Sequence, residues 1–135
     1  MAKYKVFISY SHHDYETAMK LVDALTAENV TLWSDQQIRA GDKWESEILK
    51  ALNEASVYVF LVSPDFVASD WAMYEIGHAL ARSKETGAPI VPVIIKNVIV
   101  PELLNRFHWI DAREISPKEF AEKIKHLVDV AHDRA

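Results

Sequence analysis

Trp71 and Glu75 are the two residues of this chain whose types and spacing best suit chemistry. They stand four positions apart, and four residues make about one helical turn, so the indole and the carboxylate share a helix face. Ser69 or Asp70 can cap that helix, and the apolar run Val57–Val62 before it is typical of a buried strand. The pair is therefore predicted just beyond the carboxyl end of a strand, where open α/β sheets bind ligands.

A flat aromatic ring beside one carboxylate suits a planar, cationic or sugar-bearing ligand. The simpler interpretation makes Trp71 a core residue and Glu75 a solvated helix charge. Carboxylates are common in the first turns of helices because the helix dipole favours them there. Spacing alone favours this simpler interpretation, and a further sequence feature is needed to choose between the two.

Length and composition bound the class of protein. The 135 residues, half of them apolar, predict one domain spanning residues 1–135 with a substantial core. A net charge of −5 provides no basic surface for nucleic acid or an anionic membrane. The chain has no cysteine, and neither a secretory signal nor a membrane span is expected. These features together predict a cytoplasmic location.

Strands and helices alternate along the chain. Strands are predicted at Tyr4–Tyr10, Thr31–Ser34, Val57–Val62, Ile90–Ile95 and His108–Asp111. Amphipathic helices are predicted between them: one capped by Asp14 and ending near Glu28, one from Trp44 to Ala55, one carrying Trp71 to about Thr86, and one opened by Pro117. This pattern favours a flavodoxin-like, five-stranded parallel sheet of order 2-1-3-4-5 with helices on both faces. Pro92 predicts that the fourth strand is irregular or close to an edge.

Several common catalytic motifs are missing from the sequence. No G-x-G-x-x-G follows the first strand, and the chain has only three glycines. A tightly held dinucleotide cofactor of the Rossmann type, which needs that glycine-rich turn, is therefore not expected. There is no P-loop and no G-x-S-x-G nucleophile elbow. The run His12-His13-Asp14 resembles a metal cluster, but adjacent histidines diverge and no third ligand is suitably spaced. No metal site is expected.

Four segments resemble the TIR (Toll/interleukin-1 receptor) domain family. Tyr4–Asp14 is similar to the family's first box, Leu32–Gly41 to its second strand and BB loop, Phe66–Ile76 to the segment with the catalytic glutamate, and Phe107–Trp109 to the third box. The segments occur in family order and cover nearly the whole chain. The BB loop lacks the proline of many animal receptors and adaptors, and Glu75 is present. The chain therefore looks more like the bacterial and plant enzymatic members.

The resemblance implies that NAD⁺ is the substrate and that Glu75 is catalytic in cleaving the bond between nicotinamide and ribose. Nicotinamide leaves from a pyridinium that already carries positive charge, so no general acid is required, in contrast to most glycosidases. One carboxylate suffices to stabilise the developing oxocarbenium ion. NAD⁺ is consumed, so no resident cofactor is expected. Both linear ADP-ribose and a cyclic isomer are open as products, with Trp71 placing the adenine for cyclisation.

The remaining candidate substrate-binding residues are assigned by position. Ser9, Tyr10 and Ser11 end the first strand. Asp35, Arg39 and Gly41 fall in the BB loop, and Trp44 opens the second helix. Tyr10 and Trp44 also suit core packing. Arg39 suits a diphosphate, an assembly contact or a solvated charge equally well.

Two classes of function are open from the sequence. The first is an NAD⁺ hydrolase or cyclase in bacterial defence or signalling, and the alternative is a non-enzymatic module that recruits other TIR domains. In the family, self-association often completes the active site, so a homo-oligomer or filament is expected. The apolar stretch Val98–Pro101 in a predicted loop suits either a partner surface or a buried closure.

Overall fold

Five parallel strands form the sheet in the computed structural model, which describes residues 5–34 and 44–133. The strands are β1 (Val6–Ser9), β2 (Leu32–Trp33), β3 (Val57–Val62), β4 (Ile90–Ile94) and β5 (Ile110–Asp111). Their order is β2-β1-β3-β4-β5 and every pair is parallel. The predicted fold class and strand order are confirmed.

Helices connect the strands and cover both faces of the sheet. They are α1 (Tyr15–Ala27), α2 (Trp44–Glu54), α3 (Pro64–Val67), α4 (Asp70–Thr86), α5 (Glu102–Asn105) and α6 (Pro117–Asp133), with a 3-10 turn at His12–Asp14 before α1. No helix within the described ranges combines the length and the apolar character needed to cross a membrane.

Alternation along β1 divides the core into two layers. Val6 and Ile8 point to the face that α1 and α6 cover, whereas Phe7 points to the face that α2, α3, α4 and α5 cover. Successive strand side chains point to opposite faces, so Ser9 shares the face of Phe7. On that face Phe7 stacks on Trp33, with ring centroids 5.1 Å apart. The last residue of β1 is thus directed toward the helix that carries Glu75.

Pro92 lies inside β4, in register with Phe60 of β3. The Ile95 N–H donates to the Val62 carbonyl, so the odd-numbered residues of this strand bond to β3 and Pro92 faces the β5 side. β5 pairs with β4 only from Val93 onward. The proline therefore costs the sheet no hydrogen bond toward β3, and its missing donor falls where the next strand is short.

Caps fix both ends of α4. The Ser69 hydroxyl accepts a hydrogen bond from the Ala72 N–H at 3.2 Å, and Gly87 ends the helix in the left-handed conformation with φ of 78°. Both agree with the sequence prediction, because a serine cap and a C-terminal glycine are local signals. A short helix that was not predicted, α3, precedes it and begins at its own cap, Ser63.

The apolar stretch Val98–Pro101 is partly packed and partly exposed. Val98 and Val100 pack against the α2–α4 side of the core. Ile99 between them is 92% exposed. The segment therefore closes the core and also presents one large apolar side chain to solvent.

Candidate active site

Glu75 is a buried carboxylate at the carboxyl edge of the sheet. Its side chain is only 1% exposed, and the Ser9 hydroxyl donates a hydrogen bond to Glu75 Oε1 at 2.6 Å. Ser9 is itself 2% exposed and is the last residue of β1. The structure thus brings together two predicted site residues that are 66 positions apart in sequence. Glu75 is not a solvated helix charge, which was the simpler interpretation of its position.

Trp71 lies one turn before Glu75 on α4 and is half-buried. Its indole packs against the α2–α4 side of the core and also stacks on the Tyr74 ring, with centroids 4.7 Å apart and an interplanar angle of 23°. The core and ligand-facing interpretations of Trp71 are therefore compatible, because one part of the ring is packed and another remains accessible.

Tyr10 and Ser11 follow Ser9, but the structure directs them elsewhere. Tyr10 is 4% exposed and belongs to the core layer beneath α1 and α6, on the sheet face opposite to Glu75. Ser11 is half-buried and its hydroxyl accepts the His13 N–H at 3.3 Å, which caps the 3-10 turn before α1. Ser9 is joined to Glu75 by a hydrogen bond, whereas ligand contact by Tyr10 and Ser11 stays a prediction.

The BB-loop candidates Asp35, Arg39 and Gly41 lie outside the described residues. Trp44 is the first residue of α2, but its side chain also lies outside the described part of the chain. The roles proposed for these four residues therefore stay predictions. The geometry of the site rests on Ser9, Trp71, Glu75 and their neighbours.

Asp14 forms a second buried carboxylate site at the same edge of the sheet, which the sequence analysis did not predict. It is 2% exposed, and one oxygen accepts a hydrogen bond from the Ser63 hydroxyl. The Lys96 ammonium pairs with Asp14 Oδ1 at 2.6 Å, and this hydrogen bond and the carboxylate charge raise the pKa of Lys96. Asp14 thus ties the start of α1 to the ends of β3 and β4.

This network also accounts for the beginning of α3. The Ser63 hydroxyl donates a hydrogen bond to Asp14. The oxygen of the same hydroxyl accepts a hydrogen bond from the Phe66 N–H at 3.1 Å. Asp14 occupies the N-cap position of α1 as predicted, but its carboxylate makes no capping hydrogen bond and pairs with Ser63 and Lys96 instead. In the described ranges, no group of three or more His, Asp or Glu side chains is placed to hold a metal ion.

A separate cleft of about 770 Å³ lies between the start of β4, the segment before β5 and α6. Apolar and aromatic side chains, among them Ile90, Phe107, Trp109 and Leu127, form much of its lining. Among the predicted site residues whose side chains the structure describes, none contributes to it. The candidate active site is therefore assigned to the buried carboxylate and its serine partner rather than to this cleft.

Comparisons with known proteins identify the family of this chain. A family model described as TIR domain matches residues 6–128. The 2' cyclic ADP-D-ribose synthase AbTIR of Acinetobacter baumannii is 27% identical over 140 residues, covering 98% of this chain and 51% of that protein. The human Toll/interleukin-1 receptor domain-containing adapter protein is 25% identical over 115 residues, covering 82% of this chain and 52% of the adapter.

Solved structures show the same architecture. The TIR domain of the Toll-related receptor TRR-2 from Hydra magnipapillata superposes with a TM-score of 0.77 at 19% identity, covering 93% of this chain and 98% of that one. This chain spans only about a third to a half of the length of the curated bacterial relatives that it matches. The family model, the five-stranded topology and the shared fold establish that this chain belongs to the TIR domain family.

Proposed function

We propose that this domain is an NAD⁺ nucleosidase, which cleaves the nicotinamide–ribose bond to give nicotinamide and either ADP-ribose or a cyclic isomer. The observation that carries the proposal is the buried Glu75 carboxylate, held by Ser9 at the ligand-binding edge of the sheet. A bacterial relative named as a 2' cyclic ADP-D-ribose synthase supports it. A cytoplasmic role in bacterial defence or signalling is part of this proposal.

The chemistry needs little more than one oriented negative charge. When the C–N bond breaks, its electron pair returns to the pyridinium ring and neutral nicotinamide leaves, while positive charge grows on the ribose. A preorganised carboxylate in a site screened from water stabilises that charge far more than it would in bulk water. Water then adds to the ribosyl cation and releases a proton, or a nucleophile of the same molecule adds and closes a ring.

Ser9 contributes the orientation that this mechanism requires. Its hydroxyl donates to Glu75 Oε1 at 2.6 Å, the length expected for a charge-assisted hydrogen bond. Because Ser9 belongs to the central part of the sheet, next to β3, it anchors the carboxylate to a rigid element. This arrangement fits a carboxylate that stabilises charge rather than one that moves to transfer a proton.

The proposal is tested by incubating the purified protein with NAD⁺ and, in parallel, with NADH, and separating the products by chromatography. NADH is a matched substrate control, since it has the same ribose and diphosphate but lacks the cationic pyridinium leaving group. We expect nicotinamide release from NAD⁺ and intact NADH. Intact NAD⁺ at all protein concentrations would contradict the proposed function.

If the native protein cyclises NAD⁺, replacing Trp71 by alanine is expected to shift the products from cyclic toward linear ADP-ribose. A stacked aromatic ring is worth about 1 kcal/mol beyond its buried area, which corresponds to roughly fivefold in the partition between ring closure and water addition. The measurement is the ratio of the two products by chromatography, with nicotinamide as the internal measure of turnover. An unchanged ratio in the folded variant would remove this role from Trp71.

Self-association is expected to raise activity. A partner that binds the active conformation stabilises it by mass action, and the coupling between substrate binding and assembly is reciprocal. Specific activity should therefore rise with protein concentration, and NAD⁺ should shift the protein toward larger species in light scattering. A constant specific activity over a wide dilution series, with a monomer under turnover, would count against a homo-oligomer or filament.

An interaction module is the second candidate function. The human adapter relative supports it. The NAD⁺ and NADH assay distinguishes the two candidates, because a purely non-enzymatic adapter would leave NAD⁺ intact.

A further inference from the structure

Three aromatic side chains form a row along the outside of α4. Trp71, Tyr74 and His78 recur at intervals of three and four residues, which places them on one stripe of a helix. The Trp71 and Tyr74 rings are stacked at 4.7 Å and 23°, and the Tyr74 and His78 rings are tilted at 6.0 Å and 37°. The row begins at the turn that precedes Glu75 and runs away from the sheet edge.

Core packing accounts for Trp71 but not for the whole row. Tyr74 is 39% exposed, and its ring contacts the rings of Trp71 and His78. Glu75, the next residue, is 1% exposed and points to Ser9. Neighbouring residues on a helix are about 100° apart, so one side chain is directed into the sheet while the other remains outside and supports the indole.

Stacking also defines which part of Trp71 can meet a ligand. The nearly parallel Tyr74 ring covers one face of the indole, and the core on the α2–α4 side packs against another part. With both contacts in place the indole has little freedom to change its plane. Trp71 is only half-buried, so a ring of the substrate would stack on the part of the indole that these two contacts leave exposed.

We propose that Tyr74 is a positioning residue that holds the Trp71 indole in the plane on which an aromatic ring of NAD⁺ stacks. The inference rests on the proposed function, because it names the substrate that Trp71 meets. Tyr74 does not touch the reacting bond, and its whole effect passes through Trp71. It acts by preorganisation, since an indole that is already immobilised loses less rotational freedom when the ligand binds.

The test is a double-mutant cycle on binding affinity. NAD⁺ titrations by calorimetry use the Glu75→Gln protein as background, so that the ligand is not consumed, and compare Tyr74→Ala, Trp71→Ala and the double variant. Tyr74→Ala is expected to weaken NAD⁺ binding about three- to tenfold, the range typical of a stacked aromatic pair. In the Trp71→Ala background, the same change is expected to have no further effect.

Two further variants control for general damage. Tyr74→Phe retains the ring and loses only the hydroxyl, so it is expected to restore native affinity. Tyr15→Ala removes a tyrosine of similar exposure, 45% against 39% for Tyr74, from α1 on the other side of the sheet, and is expected to leave NAD⁺ affinity unchanged. Turnover is assayed in parallel in proteins that retain Glu75. There Tyr74→Ala is expected to raise KM for NAD⁺ and to keep kcat within twofold of the native value.

The outcomes separate this inference from the proposed function. NAD⁺ binding that is unchanged in Tyr74→Ala overturns the inference alone, whether or not the protein turns NAD⁺ over. Equal losses from Tyr74→Ala with and without Trp71 also overturn it, because the effect would then not pass through the indole. Absence of NAD⁺ binding overturns the inference, and if the protein with Glu75 also leaves NAD⁺ intact, the proposed function is overturned as well. A weakened affinity that Tyr74→Phe restores, and that depends on Trp71, supports it.

Discussion

Replacing Glu75 by glutamine is expected to lower nicotinamide release at least about a hundredfold, since loss of a main electrostatic contribution to the transition state typically costs that much. Glutamine has nearly the same shape, and its side-chain oxygen can still accept the hydrogen bond that Ser9 now donates to the carboxylate at 2.6 Å. The fold should therefore survive while the negative charge is lost. Initial rates of nicotinamide formation measure the effect, and a thermal melt within a few degrees of the parent establishes folding.

A matched control is available on the same helix. Glu85 lies near the other end of α4, where its side chain is 70% exposed in a surface pair with Arg82, so Glu85→Gln should leave the rate unchanged. Near-native turnover in the folded Glu75→Gln protein would show that this carboxylate is not the catalytic group.

Replacing Asp14 by alanine is expected to give the largest loss of stability among the predicted variants. The change deprives the Ser63 hydroxyl of its acceptor and Lys96 of its charge partner, at the point where α1, β3 and β4 meet. Breaking a buried hydrogen bond of this kind costs about 1–3 kcal/mol. Lys96 is 47% exposed, so water solvates its ammonium and limits the further cost. We expect a fall of roughly 5–10 °C in the melting temperature.

Differential scanning calorimetry measures that shift, with Glu16→Ala as control. Glu16 is an exposed carboxylate in the first turn of α1, and its replacement should change the free energy of unfolding by no more than about 0.5 kcal/mol. If the two variants melted at the same temperature, the Asp14 network would have no stabilising role.

The sequence predicted those features that local rules determine. Ser69 and Gly87 are short-range cap signals, and they fix the helix that carries Glu75. The alternation of strands and helices fixed the parallel topology. Ser9 could be placed near Glu75 because the carboxyl ends of parallel strands lie along one edge of the sheet. For Tyr10, the two-residue period along β1 favours the opposite face, since it falls in phase with Val6 and Ile8.

The features that were missed depend on tertiary partners. Asp14 suited a helix cap by position, but Ser63 and Lys96, which arrive from distant parts of the chain, provide stronger partners for a buried carboxylate. The stacking of Tyr74 on Trp71 requires a particular choice of rotamers, which the spacing of three residues allows without enforcing. Sequence periodicity identifies the face of a residue, whereas these contacts depend on which atoms meet there.

The most direct measurement of the central claim is a proton NMR time course of NAD⁺ mixed with the wild-type protein or with the Glu75→Gln variant. The spectra follow substrate, nicotinamide and ribosyl product in one sample and without separation. We expect the wild-type protein to produce one nicotinamide for each NAD⁺ consumed, and the variant to leave the NAD⁺ signals essentially unchanged over the same period. NAD⁺ that stayed intact with the wild-type protein, or that was consumed equally fast by both, would contradict Glu75 as the centre of an NAD⁺-cleaving site.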